Sequence, residues 1–278
     1  MTSPAWQTLR VTPSHDGVRD AVAAALFSGG AEGLMEDGPS FVTHVPVDHD
    51  LGFLRAELVR ADPAAQLLVT PLDATTAAPE LHGTVQAHDL GRFVITPPWL
   101  ADQYDVSRTI IVEPGMAFGT GEHATTRGVL RLLPDVLRIG DLVADLGAGS
   151  AVLAIAAAKG GASKVVAIEL DDDAMSNAEE NLERNGVSDV VHLLCGDAAV
   201  LLPFFAPVRL VLANIISSVH VEMLPVVARC ITADAHVIIS GILNTERDGM
   251  VRHVEATGWR LTAEDAEGEW WSATLVRA

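Results

Sequence analysis

Basic residues are scarce in this chain. Lys and Arg number 18 against 37 Asp and Glu, a formal net charge of −19 over 278 residues. Such a surface repels phosphate backbones and argues against a general nucleic-acid binder. It favours encounter with cationic partners, a basic protein among them, unless the acidity serves solubility alone. Cysteine is scarcer still, with Cys195 and Cys230 only. Neither lies in a Cys-x-x-Cys pair and no Cys/His cluster has metal-ligand spacing. Two free thiols in a reducing compartment and no metal site are therefore expected. The N-terminal MTSPAWQTLRV has no cationic start followed by an apolar core, and no run of 18 apolar residues occurs. Neither a secretory leader nor a membrane span is expected, and the cytoplasm is the expected compartment.

At 49% hydrophobic, the chain suffices for one large core or two modest ones. Residues 1–72 read as a first unit. Residues 6–11 alternate as a strand does. Residues 16–27 place Val18, Val22, Ala25 and Leu26 on one side of a helix that Gly29-Gly30 stops. AEGLMED and FVTHVPV follow as short strands around Asp37-Gly38-Pro39. A helix over 50–61, started by Asp48 or Asp50, leads to the strand QLLVTPL. The order β-α-β-β-α-β is the ferredoxin-like α+β pattern and carries no chemical motif. Residues 73–108 are expected to link this unit to the next. They are rich in Thr, Ala and Pro at first and include Trp99, which either packs between units or faces a substrate mouth.

Residues 109–278 alternate strand and helix. TIIVE, LVADL, KVVAIEL, VVHLLC, RLVLANI and HVIISGI read as strands, with helices near 123–137, 151–160, 172–185, 217–229 and 246–257. Apolar runs such as VLANII suit a mostly parallel sheet buried on both faces. The last segments, WRLTAE and WWSATLV, are too close for a helix between them and predict an antiparallel hairpin at the sheet edge. A parallel α/β sheet closed in this way, seven-stranded and Rossmann-like, is the class I methyltransferase arrangement.

The chemistry sits at strand ends. In LVADLGAGSAVLAIAAA, residues 142–158, Gly147 and Gly149 turn a strand into a helix, and Val152 stands where a dinucleotide fingerprint needs its third glycine. No P-loop Gly-Lys-Ser/Thr occurs. The turn suits a ligand without phosphates, such as the methionine part of S-adenosylmethionine. Glu169 lies 22 residues after Gly147, at the tip of the next strand, where an acid accepts both hydroxyls of a ribose; Asp171–Asp173 cap the helix that follows. Asp197 accepts from an adenine amino group or shapes a turn. Asn214 closes an apolar strand and either faces the ligand crevice or caps the next helix. PGMAFGTGEHATTR, residues 114–127, combines Gly115, Phe118, Gly119, Gly121, His123, Thr125 and Thr126, far more than a helix cap requires.

PGMAFGTG-x-H-x-TT, DLGAGS-x-VLAIAA, VVAIELD, NGV at 185–187, VLANI, ISGIL and the C-terminal AEGEWWSATLVR together resemble the PrmA family, the ribosomal protein L-eleven methyltransferases. The resemblance covers residues 110–278 closely and 1–72 more loosely, as the family's small substrate-recognition domain. It implies S-adenosyl-L-methionine as cofactor and N-methylation of lysine, and of an α-amino group, on a large-subunit ribosomal protein. Carried over position by position, it implies that Thr126, Gly147, Glu169 and Asn214 hold the cofactor and that Phe118, Gly119 and Thr120 line its pocket. Gly149 and Asp197 complete the expected cofactor site, and Asn214 is the expected catalytic residue, holding the incoming amine. No strong base is required; His123 either accepts a proton or stabilises its loop. The chain departs from the family at Ala151 (usually Gly), Glu169 (usually Asp) and Ala124 (commonly Pro). Ala151 is expected to add a methyl group where the backbone meets the cofactor. Another protein or small-molecule target, or a cofactor-binding module without activity, are the rival readings. Asn-Ile-Ile-Ser at 214–217 replaces the NPPY-type tetrapeptide of many amino-group methylating enzymes, which speaks against a nucleic-acid target. A monomer with a basic ribosomal protein as partner, and neither nucleic acid nor membrane, is expected.

Overall fold

A computed structural model describes residues 6–31, 34–47, 49–72, 85–113, 121 and 123–278. The chain divides into two compact units between Thr84 and Val85. The first holds β1 (Trp6–Thr12), α1 (Arg19–Ser28), β2 (Met35–Asp37), β3 (Ser40–Pro46), α2 (Leu51–Ala61) and β4 (Gln66–Leu72). Its sheet runs β2-β3-β1-β4 with every neighbour antiparallel. This is the ferredoxin-like arrangement expected. Leu9 and Val11 of β1 pack with Leu26 of α1 and Leu54 of α2 in its core. Asp50, not Asp48, starts α2, accepting from the N–H groups of Gly52 and Phe53 at 2.9 and 3.0 Å.

The second unit opens with β5 (His88–Asp89), β6 (Val94–Thr96) and β7 (Thr109–Ile111), a small sheet of its own. Residues 85–108, expected as part of a link, thus carry two strands and a 3-10 turn, Pro98–Gln103. TIIVE lies outside the main sheet because its first residues pair with β6. Asn185 binds the other side of that strand, accepting from the Ile111 N–H and donating to the Ile111 carbonyl.

There follow α3 (Ala124–Val136), β8 (Leu142–Leu146), α4 (Val152–Lys159), β9 (Lys164–Glu169), α5 (Asp172–Asn185) and β10 (Val191–Cys195). The short α6 (Ala198–Leu201), β11 (Val208–Asn214), α7 (Ser217–Cys230), β12 (Ile231–Leu243), α8 (Arg247–Ala256), β13 (Trp259–Glu267) and β14 (Trp270–Arg277) complete it. The main sheet runs β10-β9-β8-β11-β12-β14-β13. β10, β9, β8, β11 and β12 run parallel to one another, and β14 inserts antiparallel between β12 and β13. The C-terminal hairpin is as expected.

One face of this sheet is covered by α3, α4 and α5, whose Val129, Leu130, Ile155 and Leu182 share a core. The other is covered by α7 and α8 through Met223, Leu224, Met250 and Val254. α4 is alanine-rich because almost its whole circumference is buried. Arg131 of α3 pairs with Asp265 of β13 at 2.6 Å and ties the hairpin to the helical layer. Among the described residues no helix is long and apolar enough to cross a membrane.

Candidate active site

Strand order reverses at β8: the chain steps outward to β9 and β10, then returns to lay β11 on the opposite side. Such a switch point opens a crevice beyond the carboxyl ends of the strands. Here it has a volume of about 520 Å³. Thr126, Gly147, Gly149, Glu169, Asp197 and Asn214, expected from five separate stretches, all line it. Phe118, Gly119 and Thr120 lie outside the described residues.

The glycine turn is required by close approach. Gly147 has φ +73°, and a Cβ there would stand 2.7 Å from Ile215 Cγ2 in the segment after β11. Glu169, at the end of β9, accepts from the Gly149 N–H at 2.7 Å and from the Asp171 N–H at 2.9 Å, one bond to each carboxylate oxygen. Each oxygen keeps a second lone pair for a further donor. Asp197 caps α6 through the Ala199 N–H at 2.8 Å while lining the crevice.

Asn214 and Thr126 meet across the switch point, the Asn214 Nδ2 donating to Thr126 Oγ1 at 3.4 Å. Asn214 does not cap α7: the cap position is Ile216, with no side-chain bond. Its Oδ1 is buried and has no hydrogen-bond partner among the described residues. A buried acceptor left unpaired costs about 1–3 kcal/mol, which points to a ligand donor. The two threonines divide their work. The Thr125 hydroxyl bonds to His123 Nδ1 at 2.7 Å inside the first turn of α3, leaving Thr126 to face Asn214. His123 caps α3 and packs edge-on against Trp270, with ring centres 4.7 Å apart. Burial first, and then the nearby Arg127 charge, hold its pKa below the ordinary range against Glu269.

The expectation for Ala151 is corrected. It takes a left-handed conformation, φ 63° and ψ 17°, at the head of α4. Its side chain is fully buried in the core of the helical layer and does not line the crevice. The backbone shape, not room for a ligand, is what a glycine would ease here. Trp99 is half-buried on its 3-10 turn and likewise does not line the crevice.

Three features escaped the sequence reading. Asp145, the lone acid in the apolar LVADL, is fully buried; its Oδ2 accepts from the Ala154 N–H at 2.9 Å and its Oδ1 has no partner among the described residues. Burial pushes its carboxyl up to about 7, opposed by that N–H and aided by the Glu169 charge. Its isolation in a hydrophobic strand was a usable signal. Asn181 of α5 donates to the Ser150 carbonyl at 3.1 Å and accepts from the Glu113 N–H at 3.0 Å. It thus braces the glycine turn and the strand end before residue 114, and nothing in local sequence marks it. Trp270 forms a wall of the crevice although it lies at the far end of the chain.

The strand order, the inserted antiparallel β14 and a crevice at the β8/β11 switch define a class I methyltransferase fold. Residues 86–278 match the family described as Ribosomal protein L11 methyltransferase (PrmA). A Ribosomal protein L11 methyltransferase of Thermus thermophilus is 35% identical over 253 residues, covering 90% of this chain and 92% of that one. One of Streptococcus pneumoniae is 30% identical over 306 aligned residues, covering 95% and 94%. With one of Desulforamulus reducens the match is 35% over 186 residues, 66% of this chain and 60% of the relative's length. The crystal structure of ribosomal protein L11 methylase from Lactobacillus delbrueckii subsp. bulgaricus superposes with a TM-score of 0.61 at 28% identity, over 69% of this chain and 99% of that one. The chain belongs to the ribosomal protein L11 methyltransferase (PrmA) family.

Proposed function

We propose that this chain is an S-adenosylmethionine-dependent protein methyltransferase that N-methylates lysine side chains, and an α-amino group, of a basic large-subunit ribosomal protein. The observation that carries the reading is the buried Asn214 Oδ1, unpaired among the described residues, beside a glycine turn without a phosphate fingerprint. The residues present fit the cofactor. Gly147 and Gly149 form a close-approach floor, Glu169 offers acceptors suited to ribose hydroxyls, Asp197 offers one suited to an adenine amino group, and Thr126 adds a hydroxyl. When bound, S-adenosylmethionine supplies a methyl group on a positively charged sulfur.

The chain's own part is to position and to dry the site. Ile215, Ile216, Val219 and Met223 make one wall apolar. An ammonium entering it loses hydration, which lowers its pKa and favours the neutral amine needed as nucleophile, with the proton passing to solvent. Asn214 Oδ1 accepts from a remaining amine N–H and aims the nitrogen lone pair. Residues 1–72 serve as the substrate-recognition domain, the second unit begins at Val85, and the protein acts as a cytoplasmic monomer. Its −19 charge suits a basic substrate.

The test incubates the protein with tritiated S-adenosylmethionine and a ribosomal protein extract, then reads the large-subunit target by mass spectrometry. Label on one basic protein, with mass added in methyl steps, is expected. An unshifted mass despite calorimetric uptake of the cofactor would remove the protein target, and absence of any uptake would remove the whole reading.

A further inference from the structure

The pairing of β12 with β14 slips near the crevice. Ile239 faces Ala273 and Ile242 faces Trp271, so Ser240 and Gly241 together stand opposite the single residue Ser272. This is a β-bulge, a feature that re-aims side chains beside functional sites. Here it aims both residues. Gly241, at φ +83°, lines the crevice, and a Cβ on it would stand 2.4 Å from the Ile215 carbonyl oxygen.

Ser240, wholly buried, lies behind the crevice and does not line it. It is the meeting point of four elements. Its Oγ donates to the Thr125 carbonyl of α3 at 3.0 Å and so accepts from the Ser272 hydroxyl of β14 at 2.7 Å. Its carbonyl accepts from the Ile215 N–H at 3.2 Å and from His220 Nε2–H of α7 at 2.8 Å. Burial pushes the His220 imidazole down to about 4, so it stays neutral, with the proton on Nε2 where the carbonyl accepts it. α3 can lie this close to β14 because residue 128 is glycine; a Cβ there would stand 2.4 Å from Ser272 Oγ.

Thr125 is the chain neighbour of Thr126, and Ile215 is the chain neighbour of Asn214. One buried serine is therefore bonded beside each of the two residues whose side chains meet at the crevice. We propose that Ser240 is a positioning residue, which from behind the bulge holds Thr126 of α3 and Asn214 of β11 in place relative to each other. Secondary structure alone does not join these two positions. The bulge hydroxyl bonds one side to the sheet and its carbonyl bonds the other.

The assignment rests on the proposed cofactor site only for its second readout. The first is amide hydrogen exchange of the full chain without ligand. In Ser240→Ala, which removes the hydroxyl and keeps the carbonyl, exchange at Arg127 in the first turn of α3 is expected to speed by about tenfold or more, while the amides of Ile215, β9 and β10 keep their rates. The second is calorimetric affinity for S-adenosylmethionine, expected to weaken by about fivefold to tenfold. In a Thr126→Ala background the same change is expected to cost no further affinity, because the group being positioned is gone. Ser240→Cys keeps the volume with a weaker donor; it is expected to fall between the natural chain and Ser240→Ala, and it replaces Ser240→Ala if that variant does not fold. Exchange unchanged at Arg127, or accelerated equally through β9 and β10, overturns the proposal. So does an unchanged affinity where the natural chain binds. If the natural chain takes up no cofactor, the proposed function falls, while the exchange data still decide the role of Ser240.

Discussion

Asn214 shows how much one residue's geometry carries. Its amide nitrogen is engaged by Thr126 and its buried oxygen has no partner among the described residues, so this acceptor suits an incoming N–H. Asn214→Ala is expected to lower kcat by about a hundredfold while cofactor affinity changes by less than about threefold; equal losses in single-turnover rate and calorimetric affinity would assign it to the cofactor alone. Ala151 is a balance of small terms. Its left-handed backbone costs about 1–2 kcal/mol. Glycine would remove that strain but lose about 0.8 kcal/mol of methyl burial and about 0.4–1 kcal/mol through the freer unfolded chain. Ala151→Gly is therefore expected to move Tm by less than about 3 °C and to leave cofactor affinity unchanged, because the methyl group lies in the core. A calorimetric titration showing tighter binding would return the methyl group to the crevice. Asp145 sets a pH dependence. Its folded pKa, about 7, lies above the unfolded value of 3.8, so the folded state holds the extra proton and this residue's contribution to stability declines as pH rises from about 4 to about 7. Asp145→Asn is then expected to match the natural chain near pH 4 and to melt higher than it near pH 8. Parallel Tm profiles across that range would contradict this.

At the scale of elements, the site is the junction of β8 and β11, and at Gly147 the turn after β8 meets the segment after β11. Gly147→Ala combines an unfavourable φ of +73° with a Cβ 2.7 Å from Ile215 Cγ2. The Ile215 side chain, part of the crevice wall beside Asn214, must shift. A loss of cofactor affinity of about tenfold or more is expected, with Tm lowered by several degrees as about 1–2 kcal/mol is lost. Calorimetry and a thermal melt read both; retention of full affinity would show that the turn does not form the cofactor floor. α3 belongs to the same junction. Its first turn presents Thr126, its middle rests on β14 at Gly128, and Arg131 pairs with Asp265, so the helix is held along its length by the C-terminal hairpin. The hairpin also delivers Trp270 to the crevice.

At the scale of the whole molecule, charge is the dominant feature. On the proposed function, the −19 charge would steer association with a basic protein substrate through fields that salt screens within roughly 10 Å at 0.1 M. KM for the ribosomal protein is expected to rise severalfold between low salt and about 0.3 M, with kcat and cofactor affinity nearly unchanged. Steady-state kinetics across that series test it, and a KM indifferent to salt would assign the acidity to solubility. The small unit is acidic as well as ferredoxin-like, and its sheet and helices form a core independent of the larger one.

Local sequence determined most of the element order. Alternating and apolar runs, glycine stops and acidic caps act over a few residues, so β4, α5 and the hairpin were legible without partners. Motif spacing likewise brought Gly147, Glu169, Asp197 and Asn214 to strand ends, and a parallel sheet gathers those ends at one edge. What required the tertiary structure was the choice among partners distant in the chain. TIIVE is as apolar as a main-sheet strand, yet it pairs with β6 and with Asn185. Thr125 and Thr126 are chemically equal until His123 takes one and Asn214 the other. Ala151 reads as a methyl group beside a ligand until its backbone turns the side chain into the core. Ser240 reads as part of a buried strand, and only the register slip against β14 turns its hydroxyl towards α3. Each of these depends on where a second element lies, and that is decided by packing over the whole sheet rather than by residues within reach along the chain.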